Sequence, residues 1–194
     1  MSLNFNYKTR YAVQKEIIAN INLAFSSLQL QPEAGSTDKG WEVQEFAQAS
    51  FNNADKIVLL DYMDSQRVGF QGWKYGGVMN DGTKASRTDD WLEQQTWLVH
   101  TLRRIKPSDV SATLMTCEDM ADILIGWFNG HGAMELKKHG IGTLRIDRNR
   151  IFVYNDESEL YQKRAVFPLR IQVPQEISVQ MSRVSEWTPG IYPV

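Results

Sequence analysis

Cysteine is nearly absent from this chain: among 194 residues only Cys117 occurs. One thiol cannot close an internal disulfide, so the fold does not depend on an oxidising compartment. Histidine is scarce as well, with only His100, His131 and His139. These share no HExxH, HxH or Cys/His spacing, so the sequence offers no basis for a metal centre, and satisfied or exposed histidines are the expectation. Long apolar runs are missing. No stretch approaches the roughly 20 residues of a membrane span, and the opening MSLNFNYKTR lacks the apolar core of a signal peptide. Folding in a cytoplasm is the simplest expectation. An excess of one charge is lacking too. A formal net charge of −2 gives no global bias toward nucleic acid or an anionic membrane. Lys163, Arg164 and Arg170 lie close in sequence and read as a solvated strand face. No internal repeat or low-complexity tract occurs.

What is present suits one domain over residues 1–194, with a long loop at 69–90 and an extended tail at 175–194. Hydrophobic residues make up 42% of the chain and charged ones 23%, ordinary values for a core-forming globular protein. Residues 9–28 read as an amphipathic helix, because Val13, Ile17, Ile21, Phe25 and Leu28 recur at helical spacing. Thr9 is its expected N-cap. Gln14, Lys15, Asn20 and Asn22 fall away from the apolar stripe. Residues 41–47 fit a strand or a helix equally. Ile57, Val58, Leu59 and Leu60 form an apolar run suited to a buried strand, with room to continue through Arg67, Val68 and Gly69. Residues 69–90 hold five glycines and the turn signal Asn80-Asp81-Gly82. This segment fits a hairpin with a long tip, or a loop that orders only against a partner.

Residues 91–105 alternate like a strand with large side chains on both faces, which points to a central place in a sheet. Thr116, followed by Glu118 and Asp119, marks a helix start. Met120, Ile123, Leu124, Trp127 and Phe128 form that helix's apolar face, and Gly130 and Gly132 break it. A short helix follows over residues 133–139, stopped by Gly140. Residues 144–154 look like a hairpin. The tail after Pro174 carries Trp187, Ile191 and Tyr192, poor choices for a free end, so it is expected to dock on its own subunit or a neighbour. The fold class is therefore α+β, a mixed and mainly antiparallel sheet flanked by an N-terminal helix and a central helix pair.

Chemistry is harder to find. Cys117 at a helix N-terminus could have a lowered thiol pKa, yet no nucleophile motif surrounds it, and buried free cysteines are common. The glycines between residues 72 and 82 form neither GxxxxGK[ST] nor GxGxxG, so a phosphate cradle is not expected. Carboxylates gather at Asp61/Asp64, Asp89/Asp90 and Asp156/Glu157/Glu159, but a glycosidase pair needs a spatial separation that sequence does not give. No catalytic residue, cofactor or metal is expected. Of six tryptophans most belong in the core, while Trp73 and Trp187 are candidate interface anchors.

Residues 160–173 hold the most informative pattern. Tyr161, Lys163, Ala165, Phe167, Leu169, Ile171 and Val173 fall on one face of a strand, and Gln162, Arg164, Val166, Pro168, Arg170 and Gln172 on the other. Pro168 cannot donate a ladder hydrogen bond, which suggests a sheet edge or a bulge. A long edge strand is a docking surface, so Trp73, Tyr75, Pro168, Arg170 and Trp187 are the candidate interface residues.

The order of elements, with the segments KIVLLDYM, EQQTWLVHTL, DMADILIGWF and IFVYNDESELYQKRAVFPLRIQV, resembles the neck and tail-terminator proteins of bacteriophages, in particular the neck-terminator-like family. The resemblance runs from about residue 56 to 174. It implies an α/β subunit of the virion that forms a ring, commonly sixfold, caps the tail tube and joins it to the head connector. It carries over no catalytic residues. The implied partners are further copies of the chain, the tail tube protein, a connector or collar protein and the sheath, with DNA only passing through the lumen and no membrane. Another neck ring, or a small enzyme or ligand-binding domain around Cys117 or His100, are the alternatives.

Overall fold

A computed structural model describes residues 3–6, 8–30, 40–45, 56–75, 84–105, 115–147, 150–155 and 161–182. The element order is β1 (Leu3–Asn6), α1 (Arg10–Ser27), β2 (Glu42–Glu45), β3 (Lys56–Tyr75), β4 (Lys84–Ile105), α2 (Cys117–Asn129), α3 (His131–Lys138), β5 (Gly142–Thr143), β6 (Arg150–Asn155) and β7 (Tyr161–Ser182). The fold is α+β. Its sheet runs β1-β7-β4-β3-β2, with β5 and β6 also paired to β7. β2 joins β3 in parallel, and β1, β5 and β6 join β7 antiparallel, so the sheet is mixed. β4 lies between β7 and β3, as its two large-residue faces suggested. Contacts divide the chain into two compact units. One comprises Thr9–Gln66 and Gln94–Val173; the other comprises Met1–Lys8, Arg67–Glu93 and Pro174–Val194.

The first unit holds the core. Trp97 and Val99 of β4 and Ala165, Phe167, Leu169, Ile171 and Val173 of β7 alternate onto one face and are buried. All three helices supply side chains to the same cluster, including Ile17 and Phe25 of α1, Leu124 and Phe128 of α2, and Leu136 of α3. Period two on the strands meets period 3.6 on the helices, and each element hides its apolar side. β3 reads as a continuous apolar run because it is buried on both sides: Val58 and Leu60 join the helical core, while Ile57 and Leu59 form a separate cluster. Two polar residues of α1 depart from the sequence expectation. Gln14 and Asn20 lie on the buried face, not away from it.

Local chemistry sets the helix ends. Thr9 caps α1 by accepting from the Ala12 amide. Thr116 and Asp119 form a reciprocal capping box on α2, and the Thr116 backbone N–H holds the Asp119 carboxyl below the usual carboxylate range. Gly130 alone separates α2 from α3. Gly132, expected as a second breaker, sits inside α3. α3 ends in a Schellman motif: the Gly140 amide donates to the Lys137 carbonyl (2.9 Å) and the Ile141 amide to that of Leu136 (3.0 Å), with Gly140 at φ 69°.

α1 ends the same way, with the Leu30 amide donating to Phe25 (2.9 Å), but the left-handed position is held by Gln29 at φ 53°. Left-handed backbone strains a residue that carries a Cβ, and the exposed Gln29 makes no hydrogen bond through its side chain that would be lost on replacement among those described. Gln29→Gly is therefore expected to stabilise the protein by about 1 kcal/mol. A higher urea midpoint at unchanged slope would show it; a lower midpoint would refute the account.

Four sequence expectations are corrected. Residues 69–90 follow the hairpin reading and are not one long loop: β3 runs to Tyr75, β4 begins at Lys84 and the two are neighbours in the sheet, with the intervening tip outside the described residues. The start of the expected tail is strand, because β7 continues to Ser182 and pairs with β1. Residues 144–154 do not form a hairpin, since β5 and β6 each pair with β7 and not with one another. Most important, β7 is not an edge. It has β4 on one flank and β6, β5 and β1 along the other.

Pro168 fits that second flank. β6 pairs up to Val166, and β5 pairs at Ile171 and Gln172. The Arg170 carbonyl accepts from the Leu144 amide (2.9 Å), so even-numbered residues of this stretch direct their backbone groups to the flank that β5 and β6 share. Pro168, two residues earlier, therefore places its missing N–H between the two short strands, where no ladder bond is required.

Candidate functional site

The second unit is built from strand. Its described elements are β1, the later part of β3, the first part of β4 and the last part of β7. Every residue of the main apolar cluster belongs to the helical unit. Among the strand-unit residues whose side chains are described, the buried ones are Glu93 and Gln175, both polar.

Polar side chains link its strands. Gln175, 1% exposed, accepts from the Lys8 amide through Oε1 (2.9 Å) and donates through Nε2 to the Lys8 carbonyl (3.2 Å) and to Glu93 (3.1 Å). One amide thus fixes the chain leaving β1 and joins it to β4. The Thr88 and Ser178 hydroxyls meet at 2.9 Å across β4 and β7. In the helical unit the Thr101 hydroxyl reaches the Ala165 carbonyl at 3.4 Å. Residue number rises along β4 between these contacts while it falls equally along β7, which makes the pair antiparallel. The same count sets Asp90 opposite Glu176. The Arg67 guanidinium lies over the Trp91 ring, 4.7 Å from its centroid.

A pocket of about 550 Å³ opens in this unit, lined by Gly72, Asp90, Trp91, Leu92, Pro174, Gln175 and Glu176. Gly72 lies close to the Asp90 carboxylate, which would have to shift to admit a Cβ there. The lining offers carboxylates, an amide and an indole. The described lining includes no histidine, cysteine or lysine; Asp90 and Glu176 are its ionisable groups.

The candidate interface residues fall in separate places. Trp73 and Tyr75 lie on β3. Pro168 is half-buried and Arg170 exposed on β7. Trp187 lies outside the described residues. The carboxylates separate as well: Asp61 and Asp64 sit on β3, Asp89 and Asp90 are successive on β4, and Asp156, Glu157 and Glu159 lie outside the described residues.

Cys117 is buried at the start of α2, its thiol donating to Glu118 (3.2 Å). The Thr101 hydroxyl donates to the Cys117 carbonyl (2.7 Å), and Arg103 donates to the Met115 carbonyl, so β4 holds the entry of α2 by its backbone. His100 is buried on β4 and accepts at Nδ1 from Arg164 Nε (2.9 Å). Burial first, and then the Arg164 charge, push it down to about 4. His131 packs edge-on against Trp127 and lies 3.3 Å from Glu135, and His139 lies 3.3 Å from Glu16. The three histidines thus have unrelated surroundings. Among the described residues no three His, Cys, Asp or Glu side chains gather as a metal site.

Sequence reasoning missed Gln175, Glu93, Asn20 and Asn129. Asn129 donates to the Ile146 carbonyl and accepts from the Ile146 amide, both at 2.8 Å, so its side chain acts as a strand partner. Such residues carry no motif, because the groups they satisfy are distant in sequence.

β3 adds one more feature. β2 covers its outer flank only at residues 57–60. From residue 61 to its end, β3 has no further outer neighbour among the described residues. No protein-family model matches this chain, and no curated protein is significantly similar to it.

Proposed function

We propose that this chain is a structural virion protein, a ring-forming tail terminator at the bacteriophage neck that caps the tail tube and joins it to the head connector or collar. One observation carries the assembly part of the reading. Past residue 60 the outer edge of β3 is paired by no described strand, so a long stretch of its edge stands open among the described residues. An uncovered strand edge gains stability by pairing with another surface. An enzyme of this size would instead be expected to place reactive groups in a pocket. The lining of the 550 Å³ pocket includes neither Cys117 nor His100. The element order and the segments quoted above supply the neck part of the reading, and the net charge of −2 suits a lumen through which DNA slides without sticking. Another neck ring, such as a connector or collar, rests on the same physics; gene order around the coding sequence separates them.

The test combines light scattering of the purified chain with negative-stain images, alone and with tail tubes. Rings in solution, or rings capping tube ends, are the expected result. A strict monomer at high concentration that also leaves tube ends bare would refute the proposal. Monomer alone would not, because a subunit can wait for the tube before it closes.

A further inference from the structure

We draw no further inference here: the strongest candidate, the pocket of the strand unit where Asp90 stands opposite Glu176 across β4 and β7, offers a pair of carboxylates with nothing in the structure to show what ligand it takes.

Discussion

Asn20→Ala is expected to lower the stability of the helical unit by about 2–4 kcal/mol, more than any surface change described above. Asn20 is 5% exposed on α1. Its Oδ1 accepts from Trp127 Nε1 at 2.6 Å, and its Nδ2 donates to the Gly132 carbonyl at 3.1 Å. One side chain therefore joins all three helices. Alanine would leave a buried indole N–H and a buried carbonyl without these partners, together with a void the size of an amide. Each buried group that loses its bond costs about 1–3 kcal/mol.

Gly132→Ala tests the same junction from the other side. A Cβ at residue 132 would collide with the Trp127 ring and come within 2.8 Å of Asn20 Oδ1. In an exposed helix, glycine to alanine gains roughly 1 kcal/mol. Here overpacking of about 1–3 kcal/mol opposes that gain, so a net loss is expected. Because both changes disturb one network, the double variant is expected to lose less than the sum of the two. Urea unfolding followed by far-ultraviolet circular dichroism measures all three. A cost below about 0.5 kcal/mol for Asn20→Ala would mean that water replaces the amide at this junction, contrary to the account given.

The same junction marks where sequence stops being informative. The apolar stripe of α1 is visible because it recurs every three or four residues, and the buried face of β7 because it recurs every two. Both periodicities belong to single elements. Asn20 on that stripe looks like an ordinary polar surface residue until Trp127 and Gly132 are brought to it from α2 and α3. Gln175 is similar: its partners are Lys8, beyond the end of β1, and Glu93 of β4. Pro168 shows the limit differently. The rule that proline avoids a complete ladder holds, but sequence offered only an edge or a bulge as explanations. The actual arrangement, a flank divided among three short strands, depends on the pairings of β1, β5 and β6, which local pattern does not encode. The open edge lies on β3 for the same reason. Its apolar first residues signal a buried strand, while the end of β2 after Glu45 is what leaves the remainder uncovered among the described residues.

Acid is expected to destabilise the protein through His100 before most carboxylates titrate. Arg164 Nε carries a hydrogen toward His100 Nδ1 at 2.9 Å, so that nitrogen must be an acceptor and the ring neutral with its proton on Nε2. Protonation would turn a donor–acceptor pair into two opposed donors, one already charged, in a site where the ring is 6% exposed. This agrees with a histidine held at about 4 by burial and by Arg164. The unfolded chain binds a proton near pH 6.5, whereas the folded chain resists it until about pH 4. Between those values the unfolded state holds more protons, so stability is full above pH 6.5 and falls as pH drops toward 4. After allowance for solvent screening the loss is on the order of 2 kcal/mol. His100→Gln retains an acceptor for Arg164 but does not titrate. It is expected to be less stable at neutral pH, yet to show a flatter profile from pH 6.5 to 5, the part of the window above most carboxylate titration. Urea midpoints taken across that range decide the matter. An equally steep fall in the variant would show that another group drives it and that His100 is not the acid-sensitive residue of the fold.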